Sequence, residues 1–336
     1  QYKGGVFTFR GDNFRQNAAF GVLKQSPTSM SIEWEKKLSK LQLPGGMVYG
    51  IGWTGQPAIV KWGKEVREAS NIVKAKKSRV DKETGKSIAL KELIVSSLDG
   101  NVYFLDLEDG KETRKPIRVG FPMRGSVSVD PMGRPIIAFG QNASKTKSKS
   151  SSAGVHVYNA LNQKRLYLLE GRKNKLQAPF STNTTFDGTP LFTGGEADSL
   201  VVGGENGLFY TLSLNTKFNI GEGKLSIKPQ LYYQRSKGVQ KNQDLTIEGS
   251  VAAYQNHAFV ADRHGILRAI NMDTMRTTWA FDLGDNTDST PALDMENDGN
   301  ISLYIGNGVF TRQKGSKNVF FRKLNALNGS EIWKYK

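Results

Sequence analysis

The stretch VYFLD at residues 102–106 decides the fold, because related stretches recur along the chain. Each copy has two apolar residues three positions apart, followed by a short polar residue that can open a turn. The other copies are VHVYN, FYTLS, LRAIN and FRKLN, and the five polar anchor residues are Asp106, Asn159, Ser213, Asn271 and Asn325. The anchors are 53, 54, 58 and 54 residues apart. A near-constant period of this length predicts a repeat architecture.

Each period has the pattern of a small antiparallel sheet. Residues 125–170 contain four β-prone runs, GSVSVD, PIIAFG, GVHVYN and KRLYLLE, with alternating apolar residues and no helical period. In three copies a glycine stands six residues before the anchor, at Gly100, Gly207 and Gly265, where a tight hairpin needs positive φ. A four-stranded sheet cannot bury both of its faces alone, so we expect the copies to pack around an axis as an all-β propeller of four-stranded antiparallel blades.

The residues around the last two anchors carry a family resemblance. The runs AINMDTMRTTW, ending at Trp279, and KLNALNGSEIW, ending at Trp333, resemble the repeat of the pyrroloquinoline-quinone-type (quinoprotein-like) propeller superfamily, and Tyr167 holds the tryptophan position in the second copy. The opening FRGDNFRQNAAFG, residues 9–21, is similar to the Arg-Gly-Asp/Asn turn that begins many members. The resemblance implies the propeller fold, in a superfamily that includes quinoprotein dehydrogenases and non-catalytic, BamB-like propellers. The non-catalytic branch is the one expected here.

The five anchors account for about five complete blades. Before them, SIEWEKKL at residues 31–38 has the pattern of an outer strand, with Trp34 at the tryptophan position but no inner strands before it. We therefore expect a ring of seven or eight blades, completed by a C-terminal piece outside residues 1–336. The chain is otherwise interpreted as a single propeller domain with two excursions, an inserted helix and loop at 64–91 and a flexible basic loop at 143–152.

One turn has the residue types of a cation-binding loop. In DMENDGN, residues 294–300, oxygen-bearing side chains alternate at Asp294, Glu296, Asp298 and Asn300. Calcium prefers such ligands, and Gly299 allows a tight turn. Ile305 stands where an EF-hand needs its glutamate, which excludes that site. An acidic hairpin turn whose side chains cap its own backbone explains the same residues equally well.

Composition limits the other chemistry. The 336 residues include 47 Lys and Arg against 31 Asp and Glu, a net charge of +16, and no cysteine. Disulfides, thiolate metal sites and cysteine nucleophiles are therefore excluded, and no apolar run approaches the ~18 residues of a membrane span. His156, His257 and His264 are interpreted as ordinary hydrogen-bonded residues, and the RGD at residues 10–12 as part of the opening turn. A basic surface attracts polyanions, but stacking aromatics interleaved with Arg and Lys, as nucleic acid binding requires, are not evident.

Three functions are compatible with this sequence. The first is an exported, non-enzymatic propeller that binds another protein or an anionic envelope polymer, at the cell envelope or outside the cell; the start at Gln1 suggests a mature end left after leader removal. The second is a quinone-dependent dehydrogenase. Such enzymes typically use an adjacent cysteine pair, which this chain lacks, so no pyrroloquinoline quinone is expected. The third is a propeller that hydrolyses or eliminates glycans, which needs paired carboxylates across the axis.

Overall fold

The computed structural model describes residues 5–17, 25–51, 55–80, 87–143, 152–171, 183–235, 245–308 and 319–336. Five four-stranded antiparallel sheets dominate these residues, and within each the strands are paired in chain order. We number these sheets blades 1 to 5. The prediction of an all-β propeller of four-stranded blades is confirmed.

The strands of the blades have the following bounds. Blade 1 contains Ala58–Val60, Glu92–Ser96, Asn101–Asp106 and Ile117–Arg118. Blade 2 contains Ser128–Val129, Ile136–Gly140, Gly154–Asn159 and Arg165–Glu170. Blade 3 contains Leu191–Phe192, Ser199–Gly203, Leu208–Ser213 and Gln230–Arg235. Blade 4 contains Ala252–Tyr254, His257–Ala261, Ile266–Asn271 and Arg276–Asp282. Blade 5 contains Ala292–Met295, Ile301–Gly306, Phe321–Asn325 and Glu331–Tyr335.

The remaining elements lie outside the blades. Residues 64–91 connect the first two strands of blade 1 and contain helices Lys64–Ala69 and Lys74–Lys77 and a hairpin of Arg79–Val80 with Ser87–Ile88. Two more hairpins pair Lys40–Leu43 with Gly46–Tyr49 and Lys217–Asn219 with Lys224–Ser226, and a 3-10 turn covers Gly195–Ala197. Of the predicted basic loop at 143–152, residues 144–151 lie outside the described residues.

All five anchors end the third strand of their blade, as predicted. The side-chain oxygens of Asp106, Asn159, Asn271 and Asn325 each accept a hydrogen bond from the backbone N–H two residues later, which opens the turn to the fourth strand. In blade 3 the hairpin 217–226 lies between these two strands, which explains the longer spacing after Ser213. The hairpin glycines before the anchors have the expected positive φ.

Each blade has a forward face, which is turned toward the next blade in the chain, and a backward face, which is turned toward the preceding one. The forward face of each blade packs against the backward face of the next. Side chains two and four positions before the anchor belong to the forward face. Phe104 and Val102 of blade 1 are fully buried against blade 2, and Ala269 and Leu267 of blade 4 are fully buried against blade 5. Four such apolar clusters join blades 1 to 5 in order.

The forward face of blade 5 lacks such a cover among the described residues. Its equivalent positions are Lys323 and Phe321, and Phe321, Trp333 and Tyr335 are 48%, 40% and 74% exposed. No apolar cluster of the described residues joins blade 5 to blade 1. Within the described residues the five blades are therefore packed in an open series, which we call the arc, and the predicted ring of seven or eight blades stays a prediction.

An axial segment, residues 5–17, lies inside the arc. Its backbone is hydrogen-bonded to the first strand of four blades, and its Val6 and Ile59 exchange two bonds of 2.9 and 2.8 Å. Carbonyls of the segment also accept bonds from Val129, Ala253 and Leu293, at 2.7, 2.8 and 2.8 Å. The segment thus ties together the inner edges of blades 1, 2, 4 and 5. No described helix is long and apolar enough to cross a membrane.

Candidate functional site

The opening turn of the axial segment is built by Asp12 and Gly11. One carboxylate oxygen of Asp12 accepts the backbone N–H groups of Phe14 and Arg15 at 2.9 and 3.1 Å. Gly11 has φ +90°, and a Cβ there would lie 2.0 Å from the carbonyl oxygen of Asn17. Only glycine fits this close approach. The RGD tripeptide is therefore part of a packed turn, as the sequence indicated.

Arg15 is completely buried at the centre of the arc. Its guanidinium donates to the carbonyl of Val251 at 2.7 Å, to Thr8 Oγ1 at 2.6 Å, to the carbonyl of Phe9 at 2.7 Å and to that of Thr189 at 3.4 Å. Burial lowers the pKa of Arg15 to about 9. A buried charge that meets carbonyl oxygens from several segments fixes their relative positions. The axial segment and blades 3 and 4 are held together in this way.

Beside Arg15 an axial pocket of about 520 Å³ opens between the axial segment and the inner ends of the blades. Its walls combine both signs of charge with hydroxyl groups and aromatic rings. The lining side chains are Phe9, Arg10, Arg124, Asp187, Thr189, Glu248, Ser250, Asp288, Ser289, Thr290, Ala292, Tyr304, Ile305 and Phe321. A concave site with convergent polar groups is the first candidate for a binding site.

Acidic side chains gather at the side of this pocket formed by blades 2 and 3. Asp187 accepts hydrogen bonds from Asn142 Nδ2 and, at 3.2 Å, from Arg124 Nη1. Glu205 lies behind it, 6% exposed, and accepts a bond from Asn183 Nδ2 at 3.2 Å. Burial, followed by the charge of Asp187, raises the pKa of Glu205 to about 8, and burial also raises the pKa of Asp187. This pair therefore retains a proton at neutral pH.

Across the pocket an arginine balances two further carboxylates. Arg263 places Nη1 3.2 Å from Glu248 Oε1 and Nε 3.5 Å from Asp288 Oδ1. The positive and negative charges around the pocket are therefore paired with each other, and neither sign dominates. Such a surface offers matched donors and acceptors to a polar ligand.

The axial pocket continues onto the uncovered face of blade 5 through Tyr304 and Phe321, which line both. The ring centroids of these residues are 6.2 Å apart, and that of Trp333 lies 6.1 and 6.0 Å from them. Lys323 lies among these rings, with Nζ 5.6 Å from the Tyr304 centroid and 2.8 Å from Glu296 Oε1. We call Tyr304, Phe321, Trp333 and Tyr335 the aromatic face.

The structure places the predicted calcium-binding residues in the first hairpin of blade 5. Glu296 is paired with Lys323, and Asn300 donates its side-chain N–H to Asp298 Oδ2 at 2.7 Å. Asp294 lies in the strand, in register with Ser302. Within the described residues, no group of three or more His, Cys, Asp or Glu side chains could hold a metal ion. Calcium binding at this turn stays a prediction.

The other singled-out residues have structural contacts. His156 is buried, with Nε2 2.8 Å from Gln141 Oε1, its ring stacked on Phe139 and its pKa lowered by burial to about 4. Trp279 donates Nε1–H to the carbonyl of Ala326 at 2.9 Å, so it packs between blades 4 and 5 as expected. Sequence reasoning missed the acidic pair, because Asp187 and Glu205 lie in inter-strand loops without a motif.

Comparison with known proteins gives little beyond this geometry. No family model matches the chain, and no curated protein matches it. Among solved structures it is similar to BamB from Moraxella catarrhalis, with a TM-score of 0.47 and 13% sequence identity over 92% of this chain and 76% of that one. The five described four-stranded sheets and their order make the fold a propeller.

Proposed function

We propose that this protein is a non-enzymatic scaffold that binds another protein through the axial pocket and the adjoining aromatic face. The observation that carries the proposal is the continuity of the two surfaces through Tyr304 and Phe321. Exposed, contiguous aromatic residues mark interaction sites on folded proteins. Tyr, Trp, Phe and Arg are also the residues enriched at protein interfaces.

The net positive charge of the chain supports a location at the cell envelope and a second class of ligand, anionic polymers. The net charge of +16 attracts anionic polymers of a cell envelope by long-range steering, which is screened by salt. We place the protein at the envelope or outside the cell on this ground, with the repeat resemblance in support. A protein ligand remains the first choice, because the axial pocket itself is balanced in charge.

Affinity capture with matched variants tests the proposal. The wild-type chain is used as bait in an envelope extract, beside the double variant Phe321→Ser, Trp333→Ser and the control Tyr232→Ser, whose ring is also exposed but lies on blade 3. We expect a partner that the wild type and the control retain and the double variant loses. Equal recovery by all three chains, or only salt-sensitive recovery of anionic polymer, contradicts the assignment of the face.

The acidic side chains of the pocket favour one catalytic alternative, cleavage of acidic glycans. A glycosidase needs two carboxyl groups at least ~5 Å apart, one of them protonated. The Asp187–Glu205 pair holds such a proton, because burial raises the pKa of Glu205 to about 8, but the two side chains share a hydrogen bond, and Glu248 and Asp288 are paired with Arg263. Release of reducing ends or unsaturated products from acidic polysaccharides by wild type but not by Glu205→Gln would establish this activity.

The dehydrogenase alternative has a direct assay. The chain is incubated with pyrroloquinoline quinone and calcium, and reduction of a dye by an alcohol is followed. We expect no reduction, since the sequence contains no cysteine pair of the kind that such enzymes use. Micromolar quinone binding with alcohol-dependent dye reduction would replace the scaffold proposal.

A further inference from the structure

Arg10 is the exception to the charge pairing in the axial pocket, which it lines. Its backbone N–H donates to Gln56 Oε1 at 2.6 Å. Within the part of the chain that the structure describes, however, its guanidinium has no ion pair and no hydrogen bond. The acidic side chains of the pocket are each paired with another arginine. The Arg10 guanidinium is therefore available to pair with an anionic group of a ligand.

Arg15 adds a second positive charge behind the same wall. Its guanidinium donates to three carbonyl oxygens and one hydroxyl, and to no carboxylate of the described residues. The pKa of Arg15 is lowered mainly by burial; Asp12 raises it, and the charge of Arg10 lowers it further. A buried charge is stabilised when an opposite charge is brought close to it. An anionic group in the pocket would compensate both arginines.

Three hydroxyl groups form a row along the wall of the pocket, which we call the hydroxyl row. Thr189, Ser250 and Thr290 each stand two residues before the first strand of their blade. Their oxygens accept the backbone N–H groups of Ser126, Thr189 and Ser250, each at 2.9 Å, so the row links the entrances of blades 2 to 5. A hydroxyl that accepts a hydrogen bond still has its own O–H group to donate.

The O–H groups of the hydroxyl row are available to a ligand. All three residues line the pocket, and Thr189 and Ser250 are only 1% and 6% exposed. None of the three hydroxyls donates to an acceptor among the described residues. Burial of a donor without an acceptor is unfavourable, so the row favours a ligand that brings acceptor oxygens. A carboxylate only accepts hydrogen bonds, and it is the natural partner of both the row and a guanidinium.

The shape of the pocket and its apolar wall favour the carboxylate at the end of a polypeptide. The volume of about 520 Å³ suits a small ligand or a chain end. A chain end needs only one opening to enter a concave site, whereas an internal segment must also leave it. The side chains of Phe9, Ala292 and Ile305 give the terminal residue a hydrophobic wall, which a polar sugar acid does not match.

We propose that the axial pocket binds the free carboxyl terminus of a polypeptide, with its carboxylate on the Arg10 guanidinium and the hydroxyl row. Capture of a terminal carboxylate by convergent donors is a recurring mode of peptide recognition. The inference rests on the proposed function, since it names the part of the protein ligand that enters the pocket. Arg10 and the hydroxyl row lie on the axial segment and at first-strand entrances, so the site does not depend on what covers blade 5.

Tripeptides prepared as free acids and as amides test the inference. The probes are N-acetyl-Ala-Ala-X with each amino acid in turn at X, titrated against the full chain and followed by ligand-observed NMR. We expect at least one free acid to bind with a dissociation constant of about 1 mM or lower. Its carboxamide has the same side chains but no charge, so it should bind at least about tenfold more weakly.

Substitutions identify the groups that hold the carboxylate. Arg10→Gln should weaken binding of the free acid by about tenfold or more, and Arg10→Lys by less, since lysine keeps the charge but not the planar fork. Neither should lower the melting temperature, because the Arg10 guanidinium has no partner among the described residues. Thr290→Val, which removes one O–H group of the row, should weaken binding by about threefold or more. Arg118→Gln removes an exposed arginine of blade 1 and is the control for net charge, with wild-type binding expected.

The inference is overturned if no free acid binds, if acid and amide bind equally, or if Arg10→Gln binds like the wild type. Tighter binding of a galacturonic acid trimer than of any free-acid peptide would also overturn it, because the pocket would then belong to an acidic glycan. The scaffold proposal has a separate readout. If the wild type captures a protein that the Phe321→Ser, Trp333→Ser variant loses, that proposal stands even when the peptide results overturn the role of the carboxyl terminus.

Discussion

At the scale of single residues, the protein buries charge near its axis. Arg15 is fully enclosed, and the Asp187–Glu205 pair lies close by. Removing one partner from a buried charged network typically costs about 3–5 kcal/mol, because the remaining groups lose their compensation. The inner edges of the blades are therefore held by polar contacts as well as by apolar packing.

The raised pKa of Glu205 makes stability depend on pH. Between its ordinary value of 4.5 and about 8, the folded state keeps a proton that the unfolded state has released, so stability falls as pH rises through this range. We expect the melting temperature of the wild type to fall by roughly 3–6 °C more than that of Glu205→Gln between pH 5 and pH 8. Calorimetry at both pH values measures the difference.

The control for this effect is Glu222→Gln, which changes an exposed glutamate paired with Lys224 at 2.7 Å. Its pH dependence should match that of the wild type. If Glu205→Gln also follows the wild-type curve, the folded protein does not hold the proton on Glu205.

At the scale of elements, the fourth strands of blades 4 and 5 have a tryptophan at the equivalent position, but the two rings have different surroundings. Trp279 packs against the next blade, whereas Trp333 is 40% exposed on the aromatic face. We expect Trp279→Ala to lower the unfolding free energy by about 3 kcal/mol or more, because it removes a ring packed between two blades. Trp333→Ala should lower the unfolding free energy by less than about 1 kcal/mol. Urea denaturation compares the two, and equal losses would mean that the face of blade 5 is covered in solution.

The acidic turn of blade 5 tests calcium binding. If Asp294, Glu296, Asp298 and Asn300 bind the cation, millimolar calcium should raise the melting temperature by about 3 °C or more relative to chelator, as a ligand specific to the folded state does. Asp298→Ala should remove the increase. If the wild type and Asp298→Ala have the same melting temperature with and without calcium, the turn does not bind the cation. Its polar side chains then only cap the backbone and each other, as in the hydrogen bonds that Asn300 donates to Asp298.

At the scale of the whole molecule, the axial segment connects blades that are distant in sequence. Removing residues 1–17 deletes its backbone bonds to Ile59, Val129, Ala253 and Leu293 together with the guanidinium of Arg15. We expect the melting temperature to fall by roughly 10 °C or more and the transition to broaden, because the blades lose a shared support. Arg15→Met keeps the backbone bonds, so its melting temperature should lie between those of the full-length and the truncated chains. A truncated chain that melts like the full one would show that the blades support each other without the segment.

The sequence by itself determined the blades. The alternation, the hairpin glycines and the anchor spacing predicted the four-stranded sheets, because pairing within a blade joins strands close in sequence and depends on local turns. Only the tertiary structure decided which charges meet at the axis. Arg15 and Val251 are 236 residues apart, and the Asp187–Glu205 pair lies in loops without a motif, so no local pattern could bring them together. The uncovered faces at blades 1 and 5 were decided in the same way. Val102 and Phe321 stand four residues before their anchors, yet Val102 is buried and Phe321 is 48% exposed, because burial depends on which sheet packs next to them.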